Sequence, residues 1–358
     1  MGMNSRLLWA WAVLIVAAVL AGCDGEAPPT VTATSDQALP SAPPAEIAPA
    51  PAPPVPAGPA LQLALNWKPE PQFGGFYAAA SQGFFASQGL NVELLPGGSG
   101  TPVVQMVAAG KVPYGIASGD EIVIARSRGQ DVVALFAVYQ TCPQGILVRA
   151  DRGLTKLEQV FSGGTLAMQR GLPYSEHLAT TYGLDRVKVV PYAGGVAPLL
   201  DAATGATFSQ QCFVTSEPIL LRQQGVEPRV FLIADSGYNP YTTVLITRGD
   251  YARANEGEVH RMIAAVHDGW TAYLDDPAAA NAVMLQLNPT MDPATMAESA
   301  AVQKPLIDTG DTAKLGLGAM TIYRWQLLVE QLLELGVIDK PVPAAALFLG
   351  EPSPVIVP

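Results

Sequence analysis

The residues whose types are best suited to binding chemistry lie in one short stretch, from Asn66 to Tyr77, which holds an indole, a phenol, amides and a carboxylate. The stretch follows the apolar run Leu61 to Leu65, which is typical of a buried strand, and it precedes a helical segment. Its prolines stiffen a loop, and Gly74 and Gly75 leave room for a close approach. Because open α/β sheets bind ligands at the carboxyl ends of their strands, we predict that this stretch lines a cleft for a small polar aromatic molecule.

The candidate ligand contacts combine aromatic faces with amide, hydroxyl and carboxylate groups. A heteroaromatic ring favours aromatic side chains for stacking, and polar groups for its ring nitrogens and amines. Each candidate also has a structural alternative, such as core packing for Trp67, helix capping for Asp120 and stabilisation by a helix dipole for Glu217. The candidates are Asn66, Trp67, Gln72, Tyr77, Ser118, Asp120, Glu217, Tyr238 and Tyr241.

Strand-like apolar runs alternate with helix-length segments from Leu61 onward, which predicts parallel strands and an α/β fold. Breaks near Thr141 and Tyr238 divide the pattern into two sets. We therefore expect two lobes joined by two crossing strands, with lobe 1 comprising residues 61–141 and 239–358 and lobe 2 comprising residues 142–238. Such a molecule closes around a ligand by hinge motion.

Helix lengths are predicted from the spacing of apolar residues and from glycines that end helices. One helix is expected from Gly75 to Ser87, ending at Gly89, and a short one from Leu154 to Phe161. The spacing of apolar residues between Tyr251 and Tyr273 predicts a single amphipathic helix.

The N-terminal residues 1–23 have the pattern of a secretory signal, with Arg6 before an apolar run shorter than a membrane-spanning helix. Leu20 to Cys23 resembles the lipobox of bacterial lipoproteins; an ordinary signal peptide with an incidental cysteine is the alternative. Residues 24–60 are rich in proline and alanine, which predicts a disordered, semi-rigid linker. We expect an exported protein that is anchored to the membrane through a lipid on Cys23.

Composition excludes several classes of function. A net charge of −11 with no basic stripe argues against nucleic-acid binding. The sequence has no paired Cys or His spacing for a metal, no phosphate-binding glycine loop of the Walker type and no nucleophile elbow. No metal or cofactor is therefore expected, and His177, His260 and His267 are assigned to packing or surface roles.

For Cys142 and Cys212, a disulfide and two buried free thiols both remain open.

A succession of short motifs resembles one family: the substrate-binding proteins of ABC importers for thiamine-pyrimidine precursors, sulfonates, taurine and nitrate. Relatives of that family include the eukaryotic thiamine-pyrimidine synthases. The resemblance extends from Leu61 to about Leu349. The motifs are Asn66–Trp67 with Gln72, Gly75 and Tyr77, then Gly83–Phe85, Gly89–Leu90, Gly97–Gly98, Ala109–Lys111, Gly115, Ala125–Arg126, Gly129, Gly318–Met320, Trp325 and Gly336–Ile338.

The resemblance implies a two-lobed periplasmic-binding-protein fold of type II and a monomeric receptor that delivers a solute to an ABC permease and ATPase. The first stretch is more similar to the pyrimidine-precursor and flavin branch, so the expected ligand is a heteroaromatic solute such as an aminomethylpyrimidine. Sulfonate, taurine, nitrate and riboflavin are alternatives. An enzyme of thiamine-pyrimidine formation is a further alternative, but the synthases' cofactor-holding lysine and their histidine fall at Ala117 and Glu121. No catalytic residue is therefore expected.

Overall fold

The computed structural model describes residues 58–349. The predicted signal peptide, the lipidation site at Cys23 and residues 24–57 of the predicted linker lie outside this range. Across residues 58–349, no helix combines the length and the apolar character that crossing a membrane would require.

Strands of two five-stranded sheets form the centre of the described chain. The strands are β1 (Leu61–Ala64), β2 (Val92–Leu95), β3 (Tyr114–Ala117), β4 (Val132–Tyr139), β5 (Gln144–Arg149), β6 (Thr165–Ala167), β7 (Lys188–Val190), β8 (Phe208–Phe213), β9 (Pro228–Leu232) and β10 (Thr242–Arg248). The first sheet has the order β2-β1-β3-β10-β4 and the second has the order β7-β6-β8-β5-β9. Each sheet is the centre of one lobe, so the predicted two-lobed α/β fold is confirmed.

Helices cover both sheets and make up most of the chain after β10. They are α1 (Gly74–Ser81), α2 (Phe84–Ser87), α3 (Val103–Ala108), α4 (Gly119–Ser127), α5 (Pro173–Tyr182), α6 (Ala197–Leu200), α7 (Ala202–Gly205), α8 (Glu217–Gln223), α9 (Gly249–Ala254), α10 (Glu256–Asp275), α11 (Ala278–Leu287), α12 (Pro293–Ile307), α13 (Gly310–Leu315) and α14 (Ile322–Glu334). Pro71–Phe73 forms a 3-10 turn, and the short helix predicted from Leu154 to Phe161 is a 3-10 helix over Leu157–Ser162.

The prediction of purely parallel sheets is wrong, because each sheet contains strands that run the other way. In lobe 1, β10 is antiparallel to β3 and β4; in lobe 2, β5 is antiparallel to β8 and β9. β5 and β10 are the strands by which the chain enters each lobe from the other. The remaining strands β2-β1-β3 and β7-β6-β8 are parallel, so their carboxyl ends share one edge in each lobe.

Two predicted helices are each broken into two. Gly83 adopts a left-handed φ of 79°, which ends α1 and separates it from α2. Asn255 separates α9 from α10, and its side-chain amide donates a hydrogen bond of 2.9 Å to the carbonyl of Tyr251. A short polar side chain that bonds locally to the backbone competes with helix continuation.

The glycines of the opening stretch serve helix packing. A Cβ added at Gly75 would lie 2.2 Å from the indole of Trp270, and one added at Gly74 would lie 2.1 Å from the Tyr273 ring. Trp270 is completely buried, and its ring meets Phe76 edge to face with 5.9 Å between centroids. The room that these glycines leave is therefore filled by α10, which packs α1 tightly beneath the first loop.

Arg324, on α14, connects the two crossings between the lobes. Its guanidinium donates to the carbonyl of Gln140 at 2.8 Å and to the carbonyl of Asn239 at 3.0 Å. It also donates to the side-chain oxygen of Gln140 at 3.1 Å and lies 3.9 Å from the centroid of the Tyr241 ring. The Asn239 side chain accepts a further bond of 2.8 Å from the amide of Cys142. Both crossings are thus held against the same cation.

The return crossing also contains a strained residue. Thr243 has a φ of 53°, the sole positive φ outside glycine among residues 58–349. It has no partner in the ladder between β10 and β4, where Thr242 and Val244 pair with Tyr139 and Ala137. A β-branched residue in this conformation is uncommon, and surrounding structure must hold it there.

Cys142 and Cys212 are both buried free thiols, so the disulfide alternative is not formed. Burial raises the pKa of the Cys142 thiol to about 11 and raises that of Cys212 well above its usual range. Both groups therefore remain protonated and poorly reactive at neutral pH.

Replacing Arg324 with Met should lower the free energy of unfolding by about 3 kcal/mol, because it leaves the crossing carbonyls without their charged donor. Urea denaturation measures the loss. Arg128→Met, at an exposed position on the end of α4, is the control and should change stability little. An equal loss in both variants would contradict the role assigned to Arg324.

Candidate functional site

The first wall of the candidate site is the loop after β1, which two buried amides fix in place. Asn288 donates a bond of 3.0 Å to the carbonyl of Pro69, and Gln303 donates one of 2.9 Å to the carbonyl of Pro71. Gln303 in turn accepts a hydrogen bond from the hydroxyl of Tyr139. The loop is therefore positioned by helices that lie more than two hundred residues later in the chain.

Trp67 and Glu70 form a pair on this loop. The indole is 38% exposed, and its Nε1 donates a bond of 3.2 Å to a Glu70 carboxylate oxygen. The pKa of Glu70 is raised to about 7, chiefly by burial and to a smaller extent by the charge of Glu217, while the bond from Trp67 and the charge of Lys68 oppose the shift. Glu217 belongs to α8 of lobe 2, so the carboxylate whose charge acts on Glu70 comes from the opposite lobe.

The other candidates on this stretch differ in exposure. Asn66 and Gln72 are partly exposed beside Trp67. Tyr77 is only 3% exposed and packs in the core of lobe 1, and its buried hydroxyl has no hydrogen-bond partner. Burial raises the pKa of Tyr77 to about 12. The ring of Tyr77 thus supports the loop from below, and its contact with a ligand stays a prediction.

The second wall is the start of α4, at the carboxyl end of β3. Ser118, and not Asp120, is the N-cap: its amide donates a bond of 2.8 Å to Glu121, which completes a capping box. Asp120 lies in the first turn, where it accepts a bond from the Ser118 hydroxyl and another, of 2.9 Å, from the hydroxyl of Tyr238.

Glu121, which was not among the candidates, accepts bonds from the amide and the hydroxyl of Ser118 beside Asp120. The side chain is exposed to solvent, but surrounding protein still raises its pKa through desolvation. The bonds from Ser118 oppose this shift, and the charge of Asp120 adds to it.

Lobe 2 contributes Glu217, the first residue of α8 after β8. One carboxylate oxygen accepts a bond of 2.5 Å from the Tyr192 hydroxyl, and the other accepts one of 2.9 Å from the amide of Phe213. Each oxygen keeps a lone pair that can accept from a ligand. Tyr192 thus joins the loop after β7 to Glu217.

The crossing residues Tyr238 and Tyr241 are both 2% exposed. Tyr238 stacks on His177 with 5.3 Å between centroids, and its hydroxyl reaches Asp120, so it links lobe 2 to the second wall. The hydroxyl of Tyr241 accepts a bond of 3.0 Å from the amide of Thr321, and its ring lies under Arg324. These contacts give Tyr241 a supporting role beside the hinge, and contact with a ligand stays a prediction for both tyrosines.

The structure thus brings Trp67, Asp120 and Glu217 to the strand-end edges of the two lobes. Glu70 and Glu121 are carboxylates beside these residues that the sequence analysis did not count among the candidates. The sequence held a hint of both: Glu70 lies inside the stretch from Asn66 to Tyr77, and Glu121 falls where the resemblance places the histidine of the synthases. Residues 58–349 contain no cluster of His, Cys, Asp and Glu that could hold a metal ion.

The lobes also meet between α8 and α12. Arg222 forms an ion pair with Glu298, and the side chains of Gln223 and Thr295 exchange two hydrogen bonds of 2.7 and 3.1 Å. α8 begins with Glu217, and α12 contains Gln303, which holds the first loop. The helices that position the cleft residues are therefore the ones that connect the lobes.

Two lobes, two crossings and a cleft at the strand ends define the class of two-lobed binding proteins. Residues 70–280 match the family model described as NMT1/THI5 like, and the chain belongs to this family.

Named relatives differ in function. The chain is 26% identical over 317 residues to the riboflavin-binding protein RibY of Chloroflexus aurantiacus, covering 85% of this chain and 90% of that protein. It is 23% identical over 252 residues to the 4-amino-5-hydroxymethyl-2-methylpyrimidine phosphate synthase THI11 of Saccharomyces cerevisiae, covering 65% of this chain and 72% of that one. Among solved structures, the periplasmic aliphatic sulphonate binding protein SsuA of Escherichia coli superposes with a TM-score of 0.62 at 14% identity, covering 82% of this chain and 93% of that chain.

Glu70 should make stability depend on pH. A carboxyl whose folded pKa is raised from 4.5 to about 7 favours the protonated native state, so stability falls as pH rises through this interval. Glu70→Gln should remove this loss in the free energy of unfolding, which amounts to at most about 3 kcal/mol. Urea titrations across this pH interval measure the slope. Glu93→Gln, on the exposed face of β2, should keep the slope of the unmodified protein, and a slope that survives Glu70→Gln would contradict the assignment.

The ion pair between Arg222 and Glu298 should favour the closed arrangement of the lobes. Glu298→Arg places two cations face to face, so we expect a larger radius of gyration by small-angle X-ray scattering. The swapped variant, Arg222→Glu with Glu298→Arg, restores opposite charges and should restore the compact value. An unchanged radius in the single variant would show that the pair does not hold the lobes together.

Proposed function

We propose that the protein is the extracytoplasmic receptor of an ABC importer, and that it binds a small nitrogen heteroaromatic solute with an amino group, such as an aminopyrimidine, between its lobes. The observation that carries this proposal is the placement of Glu70 and Glu217. Each comes from a loop at the strand ends of a different lobe, and the charge of one raises the pKa of the other. Such a pair is best relieved by a donor or a cation held between the carboxylates.

An aminopyrimidine supplies the groups that this cleft lacks. Its exocyclic amine donates hydrogen bonds, and Glu217 offers an anchored carboxylate to accept them. The exposed indole of Trp67 offers a flat face for the ring. Binding would exchange the repulsion between Glu70 and Glu217 for charge-assisted hydrogen bonds.

The same carboxylates argue against nitrate, and against sulfonates that carry no amino group, as ligands. An anion requires a cation or free backbone amides, and here it would meet Glu70, Glu121 and Glu217 instead. The similarity to the sulphonate-binding structure, at 14% identity, concerns the fold alone.

Riboflavin is the second candidate ligand. The relative RibY, a riboflavin-binding protein, is similar over 85% of this chain. A flavin is flat and carries ring N–H groups, so stacking on Trp67 and bonds to a carboxylate suit it as well.

The residues at the positions of synthase chemistry support a receptor and not an enzyme. Ala117 and Glu121 stand where the resemblance places the lysine and the histidine of the synthases. Alanine cannot form a Schiff base, and Glu121 is engaged with Ser118.

The proposal includes the location and the partners of the protein. Lipidation of Cys23 would anchor it to the membrane, with residues 24–60 as a tether for the folded part. From there, a monomer would deliver its solute to the permease and ATPase of the importer. The exported N-terminal pattern and the family membership support this arrangement.

A ligand panel tests the proposal by thermal melting and calorimetry. 4-Amino-5-hydroxymethyl-2-methylpyrimidine, riboflavin, taurine and nitrate are added separately; a ligand at about 100 times its Kd adds roughly 2.7 kcal/mol to stability. We expect the aminopyrimidine to stabilise the protein, and nitrate, which has no donor for the carboxylates, to have no effect. Glu217→Gln should weaken the aminopyrimidine by about 10-fold or more.

Glu334→Gln, at an exposed position on α14, is the matched control and should bind as the unmodified protein does. Stabilisation by taurine or nitrate alone would overturn the proposed ligand class. Equal affinity of the Glu217→Gln variant would remove Glu217 from the site.

A further inference from the structure

A cavity of about 420 Å³ lies in lobe 2 at the carboxyl ends of β6 and β7. Its wall contains Met168, Leu172 and Val190, so it is largely apolar, and Arg170 and Tyr192 supply polar groups. The volume falls within the range of small-molecule sites. It is therefore large enough for part of a ligand.

Tyr192 connects this cavity to the candidate site. Its ring lines the cavity, and its hydroxyl donates to Glu217 at 2.5 Å. β6, β7 and β8 are parallel, so the loops after β6 and β7 lie on the same edge of the sheet as Glu217 after β8. A ligand held at Glu217 can thus extend past Tyr192 into the cavity.

The polar groups beneath the cavity are already satisfied. Gln211 accepts a bond of 2.6 Å from the amide of Gln169 and another from the hydroxyl of Tyr174, and its own amide donates to the Gln169 side chain at 3.4 Å. These bonds fix the end of β6 and leave little capacity for a ligand. Recognition in the cavity therefore falls to Arg170.

Arg170 is a cation at the rim of an otherwise acidic cleft. It is exposed, and within the described chain no carboxylate forms an ion pair with it. Guanidinium groups bind carboxylate and phosphate with two parallel hydrogen bonds. Carboxylates thus stand at Glu70 and Glu217, and a guanidinium lines the same cavity as Tyr192, the partner of Glu217.

We propose that the cavity is a second subsite, in which Arg170 binds an anionic substituent of the ligand, a phosphate or a carboxylate, while Glu217 binds the amino group of the ring. This inference rests on the proposed function and narrows its ligand class. The ligand has opposite polarity at its two ends, and Tyr192 lies between them.

Matched pairs of ligands test the subsite by calorimetry at neutral pH and constant ionic strength. One pair is 4-amino-5-hydroxymethyl-2-methylpyrimidine and its phosphate ester; the other is riboflavin and its phosphate ester. For whichever ring binds, we expect the phosphorylated member to bind about 10-fold more tightly or better. Arg170→Gln should abolish this preference and leave the affinity for the unphosphorylated member within about 2-fold.

Arg186→Gln is the matched control, an exposed arginine of lobe 2 away from the cavity, and it should keep the preference intact. Equal affinities of the two members in the unmodified protein would overturn the subsite but not the proposed function. A preference that survives Arg170→Gln would overturn the role of Arg170. Binding of neither ring would overturn the proposed function, and the subsite with it.

Discussion

The structure depends most on the bonds of one guanidinium, that of Arg324. The chain passes between the lobes twice, near Gln140 and near Asn239, and these passages are about a hundred residues apart. Backbone carbonyls at such passages need donors, and Arg324 supplies both with a planar group that can satisfy several acceptors at once. The Tyr241 ring beneath the cation compensates part of the cost of burying it. A helix near the end of the described chain thereby holds the two passages side by side.

The cleft carries a second constraint, which is electrostatic. The charge of Glu217 in one lobe contributes to the raised pKa of Glu70 in the other, so the two carboxylates oppose each other. The contacts between α8 and α12 offset this repulsion from outside the cleft. A bound donor would offset it from inside. Selectivity and closure then have the same physical origin, because a solute that cannot neutralise the carboxylates leaves their repulsion in place.

Much of the fold could be predicted because its signals are local. The alternation of apolar runs and helices located the strands within a few residues, and the breaks near Thr141 and Tyr238 coincide with the passages between the two sheets. The direction of β5 and β10 could not be predicted, because the alternation of strands and helices looks the same whether or not the chain has just crossed from the other lobe. Likewise, Gly74 and Gly75 signalled a close approach but could not reveal that Trp270 and Tyr273 make it.

The site was harder to predict than the fold, because its electrostatic properties depend on pairs of residues that are remote from each other in the sequence. Trp67 and Glu217 stood out as residue types after strands, and the structure places them at strand ends. Glu70 and Glu121 did not stand out, since a glutamate in a loop or in a capping box is ordinary. What distinguishes them is desolvation and a facing charge, which depend on parts of the chain that are remote in sequence.

Thr243 has a consequence for how the molecule moves. A strained backbone persists only where its neighbours leave it no freedom, and here the neighbours are the Arg324-bound passage on one side and the ladder with β4 on the other. The return passage is therefore a stiff joint and not a flexible tether. Contacts on both sides thus hold the backbone of Thr243, and with it the course of the return passage.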